Sequence, residues 1–134
     1  MIRDRKTKLE IAQDWRGVRK LCKAGHRTSM VPGAGFITET RPEDSYNLPL
    51  VLAYGVLDRV LNKLSDQGAF PKAWKLGPKM ATSQNVLPWQ NYDLVDNGRV
   101  ARNDLAHKAK LSSKADCLRF INAIEAELKA WGII

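Results

Sequence analysis

One stretch limits the possible folds more than any other. Between about Leu48 and Leu64, the residues Leu50, Ala53, Tyr54, Leu57, Val60, Leu61 and Leu64 recur at helical spacing and make a wide apolar stripe. Leu48, Leu52 and Val56 widen it, which predicts the most buried helix of the protein. Asn47 is placed to cap its start, with Pro49 in the first turn, and Gly68 to stop it. A helix apolar over so much of its circumference needs other helices around it.

The chain supplies them. Ile11, Trp15, Val18 and Cys22 predict a first helix over Lys8 to Lys23, ended by Gly25. Ser113-Lys114-Ala115-Asp116 is close to a capping box, and Leu118, Ile121, Ile124, Leu128 and Trp131 follow it at helical spacing. Another helix lies between Trp89 and His107, although Asn97-Gly98 inside it could make a turn. Residues 25–45 read as loop. Residues 68–88 read as an irregular connection with one short turn around Ala73 to Leu76. No run alternates with a period of two. The expected fold is all-α, an antiparallel bundle of four main helices forming a single domain over residues 1–134.

Composition supports a folded, water-exposed domain. The 134 residues are 44% hydrophobic and 27% charged, average globular usage. No apolar run reaches the roughly 18 residues that span a bilayer. The start, Met1-Ile2-Arg3-Asp4-Arg5-Lys6, leads into no apolar core, so a cytoplasmic location is expected. Cys22 and Cys117 lack the spacing of a metal knuckle and are expected to be reduced and buried.

Charge gives the first functional direction. The formal net charge is +8, distributed as +6 over residues 1–30, −2 over 31–70 and +4 over 71–134. Basic segments around an acidic middle suit a polyanion-binding surface, and equally an ordinary solvated one. Arg16, Arg19, Lys20 and Lys23 on the first helix are open to both readings.

There are two histidines. His26 follows the first helix, in a loop with no companions that complete a site. His107 ends the run Asn97-Gly98-Arg99-Val100-Ala101-Arg102-Asn103-Asp104-Leu105-Ala106-His107-Lys108. Cationic donors beside an imidazole suit phosphodiester chemistry. Arginine binds phosphate bidentately and stabilises charge developing in the transition state. Histidine near its ordinary pKa takes one proton and returns another. In RNA the nucleophile is the 2′-OH itself. Asn103 and His107 are four apart and share a helix face, so the amide can orient the imidazole. Arg102 and His107 are five apart, about 140° around an ideal helix. They meet only if the helix frays, if the arginine stem reaches round, or if a second copy contributes.

Arg102-Asn103-x-x-x-His107 resembles the R-x(4–6)-H motif of the HEPN superfamily, and Leu105-Ala106-His107 is similar to its apolar, small, histidine ending. The order of helices over residues 44–134 is similar too, with the motif region at 97–110. The resemblance implies an all-helical, homodimeric, cytoplasmic domain and an RNA substrate. It further implies a ribonuclease needing no metal and no cofactor, whose products carry a 2′,3′-cyclic phosphate and a 5′-OH. It makes Arg102 and His107 the catalytic pair, Asn103 a member or support of that site, and Asp104 a possible supporting group. Arg99, Lys108 and Lys110 would hold RNA phosphates. Family members are often toxins or effectors of toxin–antitoxin or phage-defence systems, which implies an antitoxin or nucleotidyltransferase partner protein. Others are inactive modules that bind RNA, a nucleotide or a protein. Two readings stay beside the enzyme: such an inactive module, or an unrelated basic helical protein that binds DNA through its first helix. In a third, purely structural account, Arg102 pairs with Asp96 or Asp104 and His107 caps a helix end.

Overall fold

The computed structural model of the chain describes residues 1–23 and 26–134. The first helix, α1, runs from Arg5 to Lys23 and buries Ile11, Trp15 and Val18, the expected face, with Cys22 half-buried beside them. It starts a turn earlier than its apolar pattern because Asp4 accepts hydrogen bonds from the backbone N–H groups of Lys6 (3.3 Å) and Thr7 (3.0 Å). A short carboxylate at this position satisfies donors that a helix start leaves open. The stop expected at Gly25 lies outside the described residues.

Residues 25–45 correct the expectation of a loop. His26–Val31 and Gly35–Thr40 form strands β1 and β2, paired antiparallel, with Met30 opposite Phe36 and Val31 opposite Gly35. The turn residues between them are Pro32, Gly33 and Ala34. The Ala34 N–H bonds back to the Val31 carbonyl, and Gly33 has φ +82°, the positive angle a type II turn requires after its proline. His26 therefore opens a strand and does not sit in a loop. The sequence signal was missed because the strand residues carry no period-two apolar face. A hairpin paired only with itself can expose Met30 and Phe36.

The second helix, α2, spans Asn47–Asp66 behind a short 3₁₀ turn at Glu43–Tyr46. It packs against every other helix of the chain. Leu50, Ala53, Tyr54, Val56, Leu57, Val60, Leu61 and Leu64 are buried. Two expectations change. Leu48 and Leu52 are exposed, since the other helices do not enclose α2 completely. Asn47 is inside the helix and not its cap. Its side chain exchanges hydrogen bonds with the backbone N–H and carbonyl of Ser112, both at 2.9 Å, tying the start of α2 to the segment before the last helix. Gly68 stops the helix as expected, with φ +82° and its N–H bonded to the Ser65 carbonyl.

The connection after α2 is less irregular than its Gly and Pro content suggests. Leu76–Ser83 is a helix, α3, that buries Leu76, Lys79, Met80 and Ser83. Gly77 and Pro78 fall in its first turn, where proline loses no helical hydrogen bond. The next helix, α4, is continuous from Tyr92 to Lys108, straight through Asn97-Gly98. The last, α5, spans Lys114–Ala130, with the Ser113 side chain accepting from the Asp116 N–H at 3.1 Å, as its sequence predicts. The described residues are thus mostly helical, with five helices and one small hairpin. Among these described residues no helix is long and apolar enough to cross a membrane.

Candidate functional site

The motif helix α4 is held at both ends and in the middle. At its start Asn91 caps it by accepting from the Leu94 N–H, and the carboxylate of Glu127 on α5 accepts from the N–H groups of Gln90 and Asn91 at 2.6 to 2.9 Å. Glu127 is fully buried, and these backbone donors replace its water shell. In the middle, Gly98 makes no turn. Its absent side chain lets Tyr54 of α2 and Phe120 of α5 approach: a Cβ there would lie 2.0 Å from the Tyr54 hydroxyl oxygen. That hydroxyl donates to the Val95 carbonyl at 2.7 Å. Burial, and secondarily Asp96, push the Tyr54 pKa up, so it remains a neutral donor. At the far end Ala109 takes the left-handed conformation, φ 51°, and its N–H bonds the Asp104 carbonyl. The helix is intact through His107, so no fraying brings that residue toward Arg102.

Even so, both residues line the same cleft. It has a volume of about 480 Å³ and lies between α4, the start of α3 and Asp58 of α2. From α4 come Arg99, Arg102, Asn103 and His107. The opposite wall is the stretch Trp74 to Pro78. Five residues of separation on an ideal helix are thus compatible with one shared hollow, because the cleft runs along α4 and across its face.

The ion pairs around the cleft separate its cations. Arg99 is bound to Asp96 through Nε at 2.7 Å, and its guanidinium lies over Gly77, where a Cβ would come within 3.1 Å. Asp58 is bound by Lys79, a nearly buried lysine of α3, at 2.8 Å. Asp104 takes Lys108 at 3.7 Å. Both carboxylates that Arg102 was expected to pair with in a structural role are engaged elsewhere. Arg102 has no ion pair among the described residues, and its buried Nε has no hydrogen-bond acceptor. Buried donors are normally satisfied, so an orphan beside a cleft calls for an explanation. The first turn of α3 adds the positive end of its backbone dipole, and Lys75 adds a further cation.

Asp104, Lys108 and Lys110 lie apart from this hollow. Asp104 and Lys110 line a separate one of about 210 Å³ with Ser112, Ser113 and Asp116. Lys108 is exposed on the surface. Asn103 lines the cleft with His107, and no hydrogen bond joins them. On α1, Arg19 is consumed structurally by Glu125 and Asn122 of α5, while Arg16 stays exposed. Sequence reasoning missed Lys75, Asp58 and the α3 wall, since nothing in a Gly- and Pro-rich connection announces that it folds back onto α4. No group of three or more His, Cys, Asp or Glu side chains is arranged to hold a metal among the described residues. Compared with known proteins, the chain matches no family model, no curated protein and no solved structure.

Proposed function

We propose that the chain is a HEPN-type endoribonuclease that cleaves RNA without a metal cofactor, with Arg102 and His107 as its catalytic residues. The observation that carries this reading is the unpaired Arg102, with its buried orphan Nε, lining the same cleft as His107. An arginine left without an acid at a cleft wall has its donors free for a phosphate. In the reaction His107 takes the proton from the 2′-OH. The oxygen forms a bond to phosphorus as the bond to the 5′-oxygen breaks, the leaving oxygen takes a proton from water, and the imidazolium returns its own proton to solvent. Arg102 binds the non-bridging oxygens, where charge builds. Arg99, Lys75 and the start of α3 supply positive potential along the chain of phosphates, and Asn103, which lines the same cleft, offers its amide to the substrate or to the imidazole once RNA is bound. Lys108 and Lys110 serve as outer phosphate contacts, with Asp104 restraining Lys108.

The accompanying architecture is an antiparallel bundle of four main helices (α1, α2, α4 and α5), decorated by α3 and the hairpin. Two such chains associate as a homodimer, and the enzyme acts as a toxin or effector controlled by a partner protein. The test is incubation of purified protein with mixed tRNA and mRNA in excess EDTA, beside His107→Ala and Arg102→Ala. Discrete cuts ending in 2′,3′-cyclic phosphate, absent from both variants, are expected. RNA binding by all three proteins without any cutting would replace this reading with that of a binding module.

A further inference from the structure

The four tryptophans have different surroundings. Trp15 is buried in the seam of α1 and α5, and its indole N–H donates to Glu125 at 3.0 Å. Trp89 meets Tyr92 and Trp131 edge-on, with centroids 5.1 and 4.8 Å apart. Trp74 is 94% exposed and makes no ring contact among the described residues. It also stands at the lip of the cationic cleft, immediately before Lys75. We infer that Trp74 is a stacking platform for an unpaired base, which makes the ligand of the cleft a single-stranded nucleic acid whose phosphate lies on Arg102. This inference rests on the nucleic-acid reading of the cleft, though not on cleavage.

Three features support it. The backbone that carries the ring is held in place, because Lys75 is the N-cap of α3 and α3 is anchored by buried Leu76 and Met80 and by the Lys79–Asp58 pair. Backbone ordered before the ligand arrives loses little further freedom on binding, and a tryptophan side chain has only two torsions left to fix. The setting is polar and cationic: Lys75, Arg99, Arg102 and His107 share the hollow, and of the other apolar side chains of that wall Leu76 is buried and the small Pro78 is exposed. The exposed apolar residues Leu48, Val51 and Leu52 lie on α2, and of the three, Val51 and Leu52 line a different groove, against α1. Neither Val51 nor Leu52 lines the cationic cleft, so Trp74 stands outside that apolar groove. A single aromatic ring among cations is the pattern that binds single strands, with the bases on the ring and the backbone on the cations. A duplex keeps its bases stacked inside and offers none to the ring.

The probes are two ten-unit phosphodiester oligomers, both uncleavable. One is 2′-O-methyl RNA with bases, and the other is an abasic oligomer of the same length and charge. Trp74→Ala is expected to weaken the base-bearing oligomer by about 5- to 100-fold, to the level of the abasic one, and to leave abasic binding unchanged. Trp74→Phe is expected to restore most of the loss. Arg102→Ala is expected to weaken both oligomers alike. Equal loss on both oligomers, or no loss, for Trp74→Ala overturns the inference and leaves the phosphate site standing. A change of oligomeric state in Trp74→Ala by light scattering also overturns it, since the ring would then be a protein contact. No binding of either oligomer by the wild-type chain overturns the nucleic-acid reading of the cleft and the inference with it. Base-dependent binding without RNA cleavage supports the inference and removes only the enzyme.

Discussion

Arg19 and Arg102 are both half-buried arginines on long helices, and their surroundings differ completely. Arg19 sits in the seam between α1 and α5. Its guanidinium meets the Glu125 carboxylate and the Asn122 side chain, and it lies 5.9 Å over the Trp15 ring. Arg102 sits at the wall of a cleft where the nearby acids are already paired, and its Nε is left without an acceptor. The first arrangement leaves few donors over and behaves as packing. The second leaves the guanidinium without a carboxylate and one of its donors without an acceptor, an orphan that calls for an explanation. The net charge of +8 is therefore of two kinds: part of it fastens helices together and part of it is available to an anion.

The largest effects should come from exchanging these two arginines for alanine. Arg102→Ala is expected to lower RNA cleavage by about 100- to 1,000-fold with little change in melting temperature. Arg19→Ala is expected to do the reverse, leaving cleavage near wild type and costing about 1–3 kcal/mol in chemical denaturation, because part-buried Glu125 loses one of its three donors and Asn122 loses its partner. Equal stability losses in both would erase the distinction. A second contrast uses two mid-helix glycines. Gly98→Ala forces a Cβ into Tyr54 and Phe120 and is expected to destabilise by about 1–3 kcal/mol, disordering the motif helix. Gly17→Ala in α1 meets nothing within 4 Å and is expected to stabilise by about 0.5–1 kcal/mol.

The α1–α5 seam should also have its own pH signature. Burial alone raises the Glu125 pKa, but hydrogen bonds from Arg19, Lys129 and Trp15 overcome it and hold the carboxyl at about 2. A folded pKa below that of the unfolded chain, about 4.3 for glutamate, contributes stability that is complete above that value. The contribution is lost as pH falls from about 4.3 toward 2. Melting curves of Glu125→Gln are expected to be lower at neutral pH and to converge on wild type in acid. An effect as small as that of Gly17→Ala belongs to Ala109→Gly. It relieves a left-handed alanine at the end of α4 and is expected to add about 0.5–1 kcal/mol without altering cleavage.

Helix periodicity made α1, α2 and α5 legible because each buries one stripe, and burial is what periodicity records. It failed where structure is set by neighbours. Gly77 and Pro78 opening α3 look like loop residues until Leu76, Met80 and Ser83 are seen to bury a face on the rest of the molecule. Asn97-Gly98 looks like a turn until Tyr54 occupies the space that the glycine leaves. Of the site, Arg99, Arg102, Asn103 and His107 could be named in advance because they are close together in sequence. Lys75 and Trp74 come from the far wall, and Glu127 supports α4 from 36 residues away.

The sequence alone therefore determined the helical class, the caps at Ser113 and Gly68, and the group of residues on α4 that could carry chemistry. All of these follow from local spacing and local hydrogen bonding. Tertiary structure alone decided which arginine stays unpaired, what stands opposite it, and that Trp74 projects beside it. Charge pairing, desolvation and enclosure depend on distances between segments that the chain brings together only when it folds.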